Sequence, residues 1–350
     1  MFTACHVLPF VAVVLAAGCE ADRRVERAEP TARPAASVAA SAPKSAAPSP
    51  QSPPERSEGA SVPQSPPARP DGARSLCLEL HAPRDTVQLG EPVTVIASLL
   101  NCSSSTQQVQ DLLAPELGFL QVWIQPPDGP EILNRPVVYR DARGKPTRAL
   151  APGARLSAFV PVYFNPDGWT VTRPGPYRIR AQFGGLESTT LRSNVVTVIV
   201  QAPRNALDGK AAEILLTHEA GMFLSAGRDP RGEGTRQMKL LVGDYGTSRL
   251  APYARLALAV AASRDRFDPD TKSFRTDGCE QATSELAQAV PKVGDPVLAA
   301  SGTAAWVRCL RQLGRDAEAD RALSLFFKAH PEARDVPAVA QLLGTPARKD

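Results

Sequence analysis

The chain has 350 residues and a formal net charge of only +4 at pH 7, so its electrostatics give no reason to expect nucleic acid as a partner. This length allows two domains with additional segments. After the first residues, no stretch is long and apolar enough to predict a transmembrane helix.

An apolar run from Val7 to Ala17 has the length of a signal-peptide core and is too short to span a bilayer comfortably. The segment Leu15-Ala16-Ala17-Gly18-Cys19 resembles the lipobox of bacterial lipoproteins. The resemblance implies that residues 1–18 are removed and that the thiol of Cys19 carries lipid. It predicts an exported protein attached to a membrane of the cell envelope, at the outer membrane or on the periplasmic face. An ordinary secretory signal and a short anchor helix are the alternatives.

Residues 19–74 are rich in proline, alanine and serine and contain no aromatic residue. Such a segment buries too little apolar surface to offset the entropy lost on folding. The sequence therefore predicts a disordered tether between the lipid and the folded part. Its prolines would stiffen it toward an extended conformation.

Apolar residues alternate with polar ones between residues 75 and 202, and turn residues interrupt the pattern. This spacing predicts short strands and no helices, which is typical of a β-sandwich. The predicted strands are 76–80, 93–96, 119–125, 155–164, 177–183 and 194–201.

Two segments of this region resemble bacterial immunoglobulin-like domains. Leu89-Gly90-Glu91-Pro92-Val93 is similar to the start of their second strand, and 174–181 is similar to their penultimate strand. The resemblance implies an immunoglobulin-like β-sandwich with Tyr177 near the position of a tyrosine corner. It implies little about function, because this fold serves many roles.

Aromatic side chains occupy the more polar face of two predicted strands. Trp123 lies on that face of 119–125, and Phe159 and Tyr163 lie on that face of 155–164. They form a candidate binding face for a partner or ligand. The alternative, which we favour, is that the helical region or the loop around Trp169 covers this face.

From residue 203 to residue 350 the apolar spacing changes to that of helices. The predicted helices are 206–224, 235–242, 249–263, 280–290, 297–313 and 316–329. The segment 310–331 is similar to the second half of a tetratricopeptide repeat, with Gly314 at the turn, Ala319 and Ala322 at the close approach, and Pro331 at the helix end. The predicted fold class is thus multidomain, all-β plus all-α, with antiparallel helical hairpins after the sandwich. These hairpins either bind a protein or only pack on the sandwich as a cap.

Six cysteines are present, of which Cys5 belongs to the signal and Cys19 to the lipid site. The remaining four are Cys77, Cys102, Cys279 and Cys309, which allow three disulfide pairings. The predicted domain boundary and the positions of the turns favour Cys77 with Cys102 and Cys279 with Cys309. Four buried free thiols are the alternative.

No arrangement of the four histidines predicts a catalytic triad, and no nucleotide, metal or hydrolase motif is present. The sequence predicts no enzyme activity, no cofactor and no metal. The leading interpretation is a lipid-anchored adaptor or scaffold that binds a protein of the envelope, with its oligomeric state left open. A carbohydrate-binding sandwich that uses Trp123, and an accessory protein of an envelope enzyme encoded elsewhere, are the alternatives.

Overall fold

The computed structural model describes residues 75–344, except for 142, 145–146, 185–189, 228, 230, 265, 269–271 and 276–277. The predicted signal peptide, Cys19 and the tether lie outside the described residues. A β-rich region, residues 76–201, precedes a helical region, residues 206–343, which confirms the predicted order of β before α. Within these residues, no helix has the length and hydropathy needed to cross a membrane.

The β region consists of two larger sheets and shorter ladders. In chain order the strands of the β region are β1 (Leu76–His81), β2 (Thr86–Gln88), β3 (Thr94–Asn101), β4 (Gln107–Gln110), β5 (Leu120–Gln125), β6 (Ile132–Asn134), β7 (Thr147–Leu150), β8 (Arg155–Pro161), β9 (Phe164–Asn165), β10 (Gly168–Trp169), β11 (Gly175–Gly184), β12 (Thr190–Arg192) and β13 (Val196–Gln201). One sheet has the order β1-β3-β8, and the other has the order β2-β13-β11-β5-β6 with β12 also paired to β11. Among the described strands, only β2 and β13 pair in parallel.

The long strands follow the predicted alternation, whereas most short strands have no sequence signal. Strands of two to four residues are too short to show a period of two, so β2, β4, β6, β7, β9, β10 and β12 were not predicted as separate strands. The prediction of one strand over 155–164 was wrong. The chain leaves the sheet after Pro161, and Phe164 pairs instead with Trp169 in a hairpin of its own.

Strand β3 is buried on both of its faces. Val95, Ala97 and Leu99 lie on one face and are at most 1% exposed. Thr94, Ile96 and Ser98 lie on the other face and are each 6% exposed. Because a strand at a sandwich surface alternates between buried and exposed positions, a second layer must cover β3.

That second layer belongs to the helical region. Its helices are α1 (Ala206–Leu215), α2 (His218–Ala226), α3 (Glu233–Asp244), α4 (Ala251–Ala262), α5 (Cys279–Ala289), α6 (Pro296–Gln312), α7 (Asp316–Ala329) and α8 (Pro337–Leu343), and a hairpin of β14 (Arg266–Asp268) and β15 (Ser273–Arg275) separates α4 from α5. Helices α6 and α8 contact β8, and α2 contacts β9 and β10. One hydrophobic cluster contains buried residues of both regions.

The predicted helix 206–224 is two helices, which corrects the sequence interpretation. Thr217 interrupts it, because its side chain accepts a hydrogen bond from the Ala220 amide and so caps α2. Helix α8 had no predicted counterpart, since its seven residues are too few for a helical pattern. Leu313 is the last residue of the predicted helix 297–313, but it follows the end of α6 and is 38% exposed.

The described part of the chain contains two disulfides, and both have the expected partners. Cys77 of β1 is bonded to Cys102, just after β3, and Cys279 at the start of α5 is bonded to Cys309 near the end of α6. Each bond joins neighbours in space, since β1 pairs with β3 and α5 packs on α6. The loops span 25 and 30 residues, so the bonds restrict the unfolded chain substantially.

Candidate functional site

The three aromatic residues of the predicted binding face do not lie together. Trp123 belongs to β5 of the six-stranded sheet, whereas Phe159 belongs to β8 of the three-stranded sheet. Tyr163 follows β8 and is 2% exposed, so it offers no surface to a partner. The grouping of these residues into one face is therefore a correction to the sequence interpretation. The cause is that β5 and β8 belong to different sheets and that Tyr163 packs against Trp169.

Arg180 covers Trp123. The guanidinium carbon of Arg180 lies 4.6 Å from the centroid of the Trp123 ring, in the geometry of a cation–π contact. Glu131 holds Arg180 there, with Arg180 Nε donating to Glu131 Oε1 at 2.7 Å. The hydrogen bond from Arg180 lowers the pKa of Glu131 below its usual range. One side of the indole is thus occupied by the protein's own cation.

Tyr163 is part of the packing between the two regions. Its ring centroid lies 5.4 Å from that of Trp169, and the Trp169 indole N–H donates to the Thr217 carbonyl oxygen at 3.1 Å. Burial, with a smaller effect from the charge of Asp295, raises the pKa of Tyr163 well above its ordinary value. This phenol stays neutral and serves as a packing residue.

The strongest candidate site is a cleft of about 790 Å³, which we call the hairpin cleft. It lies between the α6–α7 hairpin and the chain that follows β1, with the segment 290–294 closing one side. Its apolar lining includes Val290, Val293, Trp306, Phe326 and the half-exposed Leu325. This volume is within the range of ligand-binding cavities.

Trp306, one of the residues that line the hairpin cleft, carries an unpaired hydrogen-bond donor. Its indole nitrogen is buried and has no hydrogen-bond partner among the described residues. Buried polar groups normally have partners, because leaving one unpaired is unfavourable. An acceptor from a bound molecule would satisfy this group.

Two histidines and an acid meet at one end of the hairpin cleft. His81 at the end of β1 and His330 after α7 both line it, together with Glu332. His330 Nδ1 lies 3.5 Å from Glu332 Oε1. Burial acts to raise the pKa of Glu332, but the hydrogen bond from His330 and the charges of His330 and His81 outweigh it and lower that pKa. Glu332 is therefore a carboxylate at neutral pH.

Positive charge prevails around the hairpin cleft. Arg84, Lys292 and Lys328 line it, and Glu332 is the one carboxylate among its described lining residues. Arg84 forms a salt bridge with the buried Glu91, and its guanidinium also donates to the Tyr253 hydroxyl at 3.3 Å. These contacts fix the loop after β1 against α4, so one wall of the cleft is rigid.

The described part of the chain contains no group of three or more His, Cys, Asp or Glu side chains that could hold a metal ion. No serine, threonine or cysteine appears among the described residues that line the hairpin cleft. The chemistry that these residues offer is apolar contact, hydrogen bonding and charge.

The sequence patterns predict no site at this cleft. Trp306 lies within the predicted helix 297–313, and His330 follows the predicted helix 316–329. Nothing in the local sequence indicates that the end of β1 meets the end of α7. The sequence does contain one signal for this cleft. Two basic residues, Lys328 and His330, lie close to the aromatic Phe326 near the end of a predicted helix.

Comparisons with known proteins identify no relative. No protein-family model matches the sequence, and no curated protein matches it. Among solved structures, a β-glucosidase from Listeria innocua in complex with isofagomine is 17% identical over 36% of this chain, with a TM-score of 0.20, and this chain spans 16% of its length. The CARDB domain of a Pyrococcus furiosus protein, in complex with di-metal ions, is 16% identical over 36% of this chain and 91% of that domain, with a TM-score of 0.20.

A sporulation control protein from Bacillus subtilis is 12% identical over 41% of this chain and 56% of its own, with a TM-score of 0.24. Scores this low assign neither a fold family nor a function to this chain.

Proposed function

We propose that this protein is an exported, lipid-anchored adaptor of the cell envelope that binds another polypeptide in the hairpin cleft. The observation that carries the proposal is the cleft itself, with its apolar lining, its unpartnered Trp306 donor and its wall of fixed chain. Apolar area with a few oriented polar groups is what recognition of a partner requires. The protein would act by holding its partner at the membrane and not by catalysis.

Export is supported by the two disulfides, since such bonds persist in oxidising compartments outside the cytosol. Attachment through lipid rests on the sequence at Cys19. Metabolic labelling with an alkyne analogue of palmitate tests it: the wild type should be labelled and Cys19→Ala should not. An unlabelled wild-type protein in the cytosol would remove both the anchor and the envelope partner.

The resemblance of the β region to immunoglobulin-like domains is supported by one hydrogen-bonded tyrosine. The buried Tyr177 hydroxyl donates to the Arg173 carbonyl oxygen at 3.0 Å, four residues earlier in the chain. This is the geometry of a tyrosine corner, which holds a loop against the sandwich. We propose an immunoglobulin-like sandwich on this ground.

The tetratricopeptide-like character of the helical region is supported by the α6–α7 hairpin. Gly314 at its turn has a φ of 72°, which favours glycine. Ala319 and Ala322, at most 2% exposed, face α6, where small side chains let the helices approach closely. Helical hairpins of this kind commonly present binding grooves for polypeptides.

Photo-crosslinking in intact cells tests the binding site. Leu325 lines the hairpin cleft and is 55% exposed, so the photoreactive amino acid p-benzoylphenylalanine can replace it without loss of core packing. Leu240 on α3 is 37% exposed, lies outside the cleft and is the matched control position. We expect a polypeptide adduct at position 325 and none at position 240.

A second pair of variants shows whether the adduct depends on the cleft. Ala329→Trp fills the cleft from the exposed end of α7, whereas Ala317→Trp adds the same bulk at an exposed position of α7 outside it. Ala329→Trp should abolish the adduct and Ala317→Trp should leave it. Adducts that survive Ala329→Trp, or that form equally at position 240, would refute the assignment of this site.

The carbohydrate-binding alternative has less support. It relies on Trp123 as a platform for a sugar ring, and the Arg180 guanidinium already lies over that ring. A glycan array that detects binding lost in Trp123→Ala would reverse this preference.

A further inference from the structure

A second cleft, of about 430 Å³, lies between the β region and the helical region, and we call it the junction cleft. On one side it is lined by the segment from Asn134 to Arg140, and on the other by parts of α2, α4 and α6. It shares no lining residue with the hairpin cleft. Its volume fits a small organic molecule, and pockets of this size commonly lie where two structural units meet.

Asn134 supplies an unpaired acceptor in the junction cleft. The residue is 7% exposed, and its Nδ2 donates to the Pro161 carbonyl oxygen at 3.1 Å. A carbonyl oxygen can only accept, so this bond fixes the orientation of the amide. The amide oxygen Oδ1 is then buried with no hydrogen-bond partner among the described residues. A ligand with an N–H or O–H group would satisfy it.

Part of the wall of the junction cleft is apolar. Phe164 stands on the β side, and Phe223, Leu256 and Val260 stand on the helical side. Except for the half-buried Val260, these side chains belong to the buried core, so a ligand would extend the core where it reaches solvent. Such walls favour an apolar, aromatic-sized body over a sugar or a free ion.

The charges around the junction cleft favour an anion. Three arginines line it, Arg135, Arg140 and Arg264, against the single carboxylate of Glu116 among the described lining residues. Asp167 pairs with Arg135, and Arg264 donates to the Gly227 carbonyl oxygen at 3.1 Å. The Arg140 side chain is exposed and forms no ion pair with any described residue, which leaves its charge available.

We infer that the junction cleft is a binding site for a small organic anion with an apolar body and a hydrogen-bond donor. The body would lie against Phe164 and Phe223, Asn134 Oδ1 would accept from the donor, and Arg140 would face the anionic group. This inference is independent of the hairpin cleft and of any polypeptide partner.

Two dyes of matched structure test the inference in the purified full-length protein. The probe 8-anilinonaphthalene-1-sulfonate has two aromatic units, an N–H donor and a sulfonate, whereas N-phenyl-1-naphthylamine has the same rings and donor without the sulfonate. Arg140→Glu should weaken sulfonate-dye binding about three- to tenfold, as expected for reversal of one exposed charge contact, and should leave the neutral dye unchanged. Fluorescence titration gives both affinities.

The matched control is Arg143→Glu, three positions along the same loop. The Arg143 side chain is 92% exposed, pairs with Asp141 and does not line the cleft. Arg143→Glu should leave the affinities of both dyes at the wild-type values. Any dye bound elsewhere on the protein contributes equally to the two variants.

Asn134→Leu tests the acceptor and should weaken both dyes by about tenfold, because both carry the N–H group. Its near-ultraviolet circular dichroism must match the wild type, and if it does not, Arg140→Glu alone decides. The inference is overturned if Arg140→Glu has no effect, if it weakens both dyes equally, if Arg143→Glu has the same effect, or if folded Asn134→Leu binds both dyes as tightly as wild type.

Discussion

Thr94 of β3 donates a hydrogen bond from Oγ1 to Asp295 Oδ2 at 2.6 Å, across 201 residues of chain. Asp295 also caps α6, since its Oδ1 accepts from the amides of Val297 and Leu298. One carboxyl group thus fixes the start of α6 and joins it to the β sheet. Both side chains are buried, so no water replaces the contact when it is lost.

Thr94→Val removes the hydroxyl with little change in shape. It leaves one oxygen of a buried carboxyl group without its donor, which should cost about 1–3 kcal/mol of unfolding free energy. Urea unfolding followed by far-ultraviolet circular dichroism measures the change. Thr86→Val is the control at an exposed strand position and should change stability by less than about 0.5 kcal/mol. Equal effects of the two substitutions would contradict the role of the contact.

The pH dependence of stability should report Asp295. Burial raises the pKa of this carboxyl above its ordinary value, although the hydrogen bonds from Thr94 and Leu298 partly oppose the shift. The folded state therefore holds the proton more tightly than the unfolded state. The resulting stabilisation is complete below the unfolded pKa near 3.8 and is lost as the pH rises through the higher folded pKa.

Asp295→Asn keeps a capping oxygen and cannot titrate. The unfolding free energy of the wild type relative to Asp295→Asn should fall as the pH rises from about 4, and it should become constant above the folded pKa. Urea unfolding of both proteins in buffers between about pH 4 and about pH 8 gives this difference. A difference that rises with pH would mean that the folded protein binds the proton less tightly than the unfolded chain.

Gly221 permits the close approach of α2 to the β region. A Cβ at this position would lie 2.3 Å from Phe164 Cε2 and 2.5 Å from Trp169 Nε1, which no real contact allows. Gly221→Ala should therefore destabilise the protein by about 1–3 kcal/mol through overpacking. Gly243→Ala, on α3 with no atom within 4 Å of the added Cβ, should instead stabilise it by about 0.5–1 kcal/mol. The melting temperatures of the two variants, relative to the wild type, should shift in opposite directions. If they shift in the same direction, the packing described for α2 is incorrect.

The Cys279–Cys309 bond closes a loop of 30 residues, and the chain-entropy model gives it about 3–4 kcal/mol. The double substitution Cys279→Ser with Cys309→Ser should lower the unfolding free energy by that order. Cys77→Ser with Cys102→Ser, which opens a loop of 25 residues, should cause a similar loss. Peptide mapping without reductant provides the direct check, and free thiols at all four positions in the native protein would rule out both bonds.

The sequence predicted the elements whose pattern repeats within the element itself. Helix α7 has the predicted bounds, because fourteen residues show the helical period clearly. The alternation of Leu120, Val122 and Ile124 likewise identified β5 and its buried face. Short elements were not predicted, because two to seven residues are too few to show a repeating pattern. The boundary at Thr217 was also missed, because one capping side chain ended a helix within a continuous helical spacing of apolar residues.

Local periodicity and turn residues were enough to predict the order of the β and α regions and the pairing of the four disulfide-bonded cysteines. Which faces stay open follows only from the packing of whole elements. Arg180 lies over Trp123, helices bury the far face of β3, and His81 and His330 line the same cleft. These contacts join residues far apart in the chain, and no local pattern specifies which surfaces will pack, since burial depends on how whole elements fit against one another.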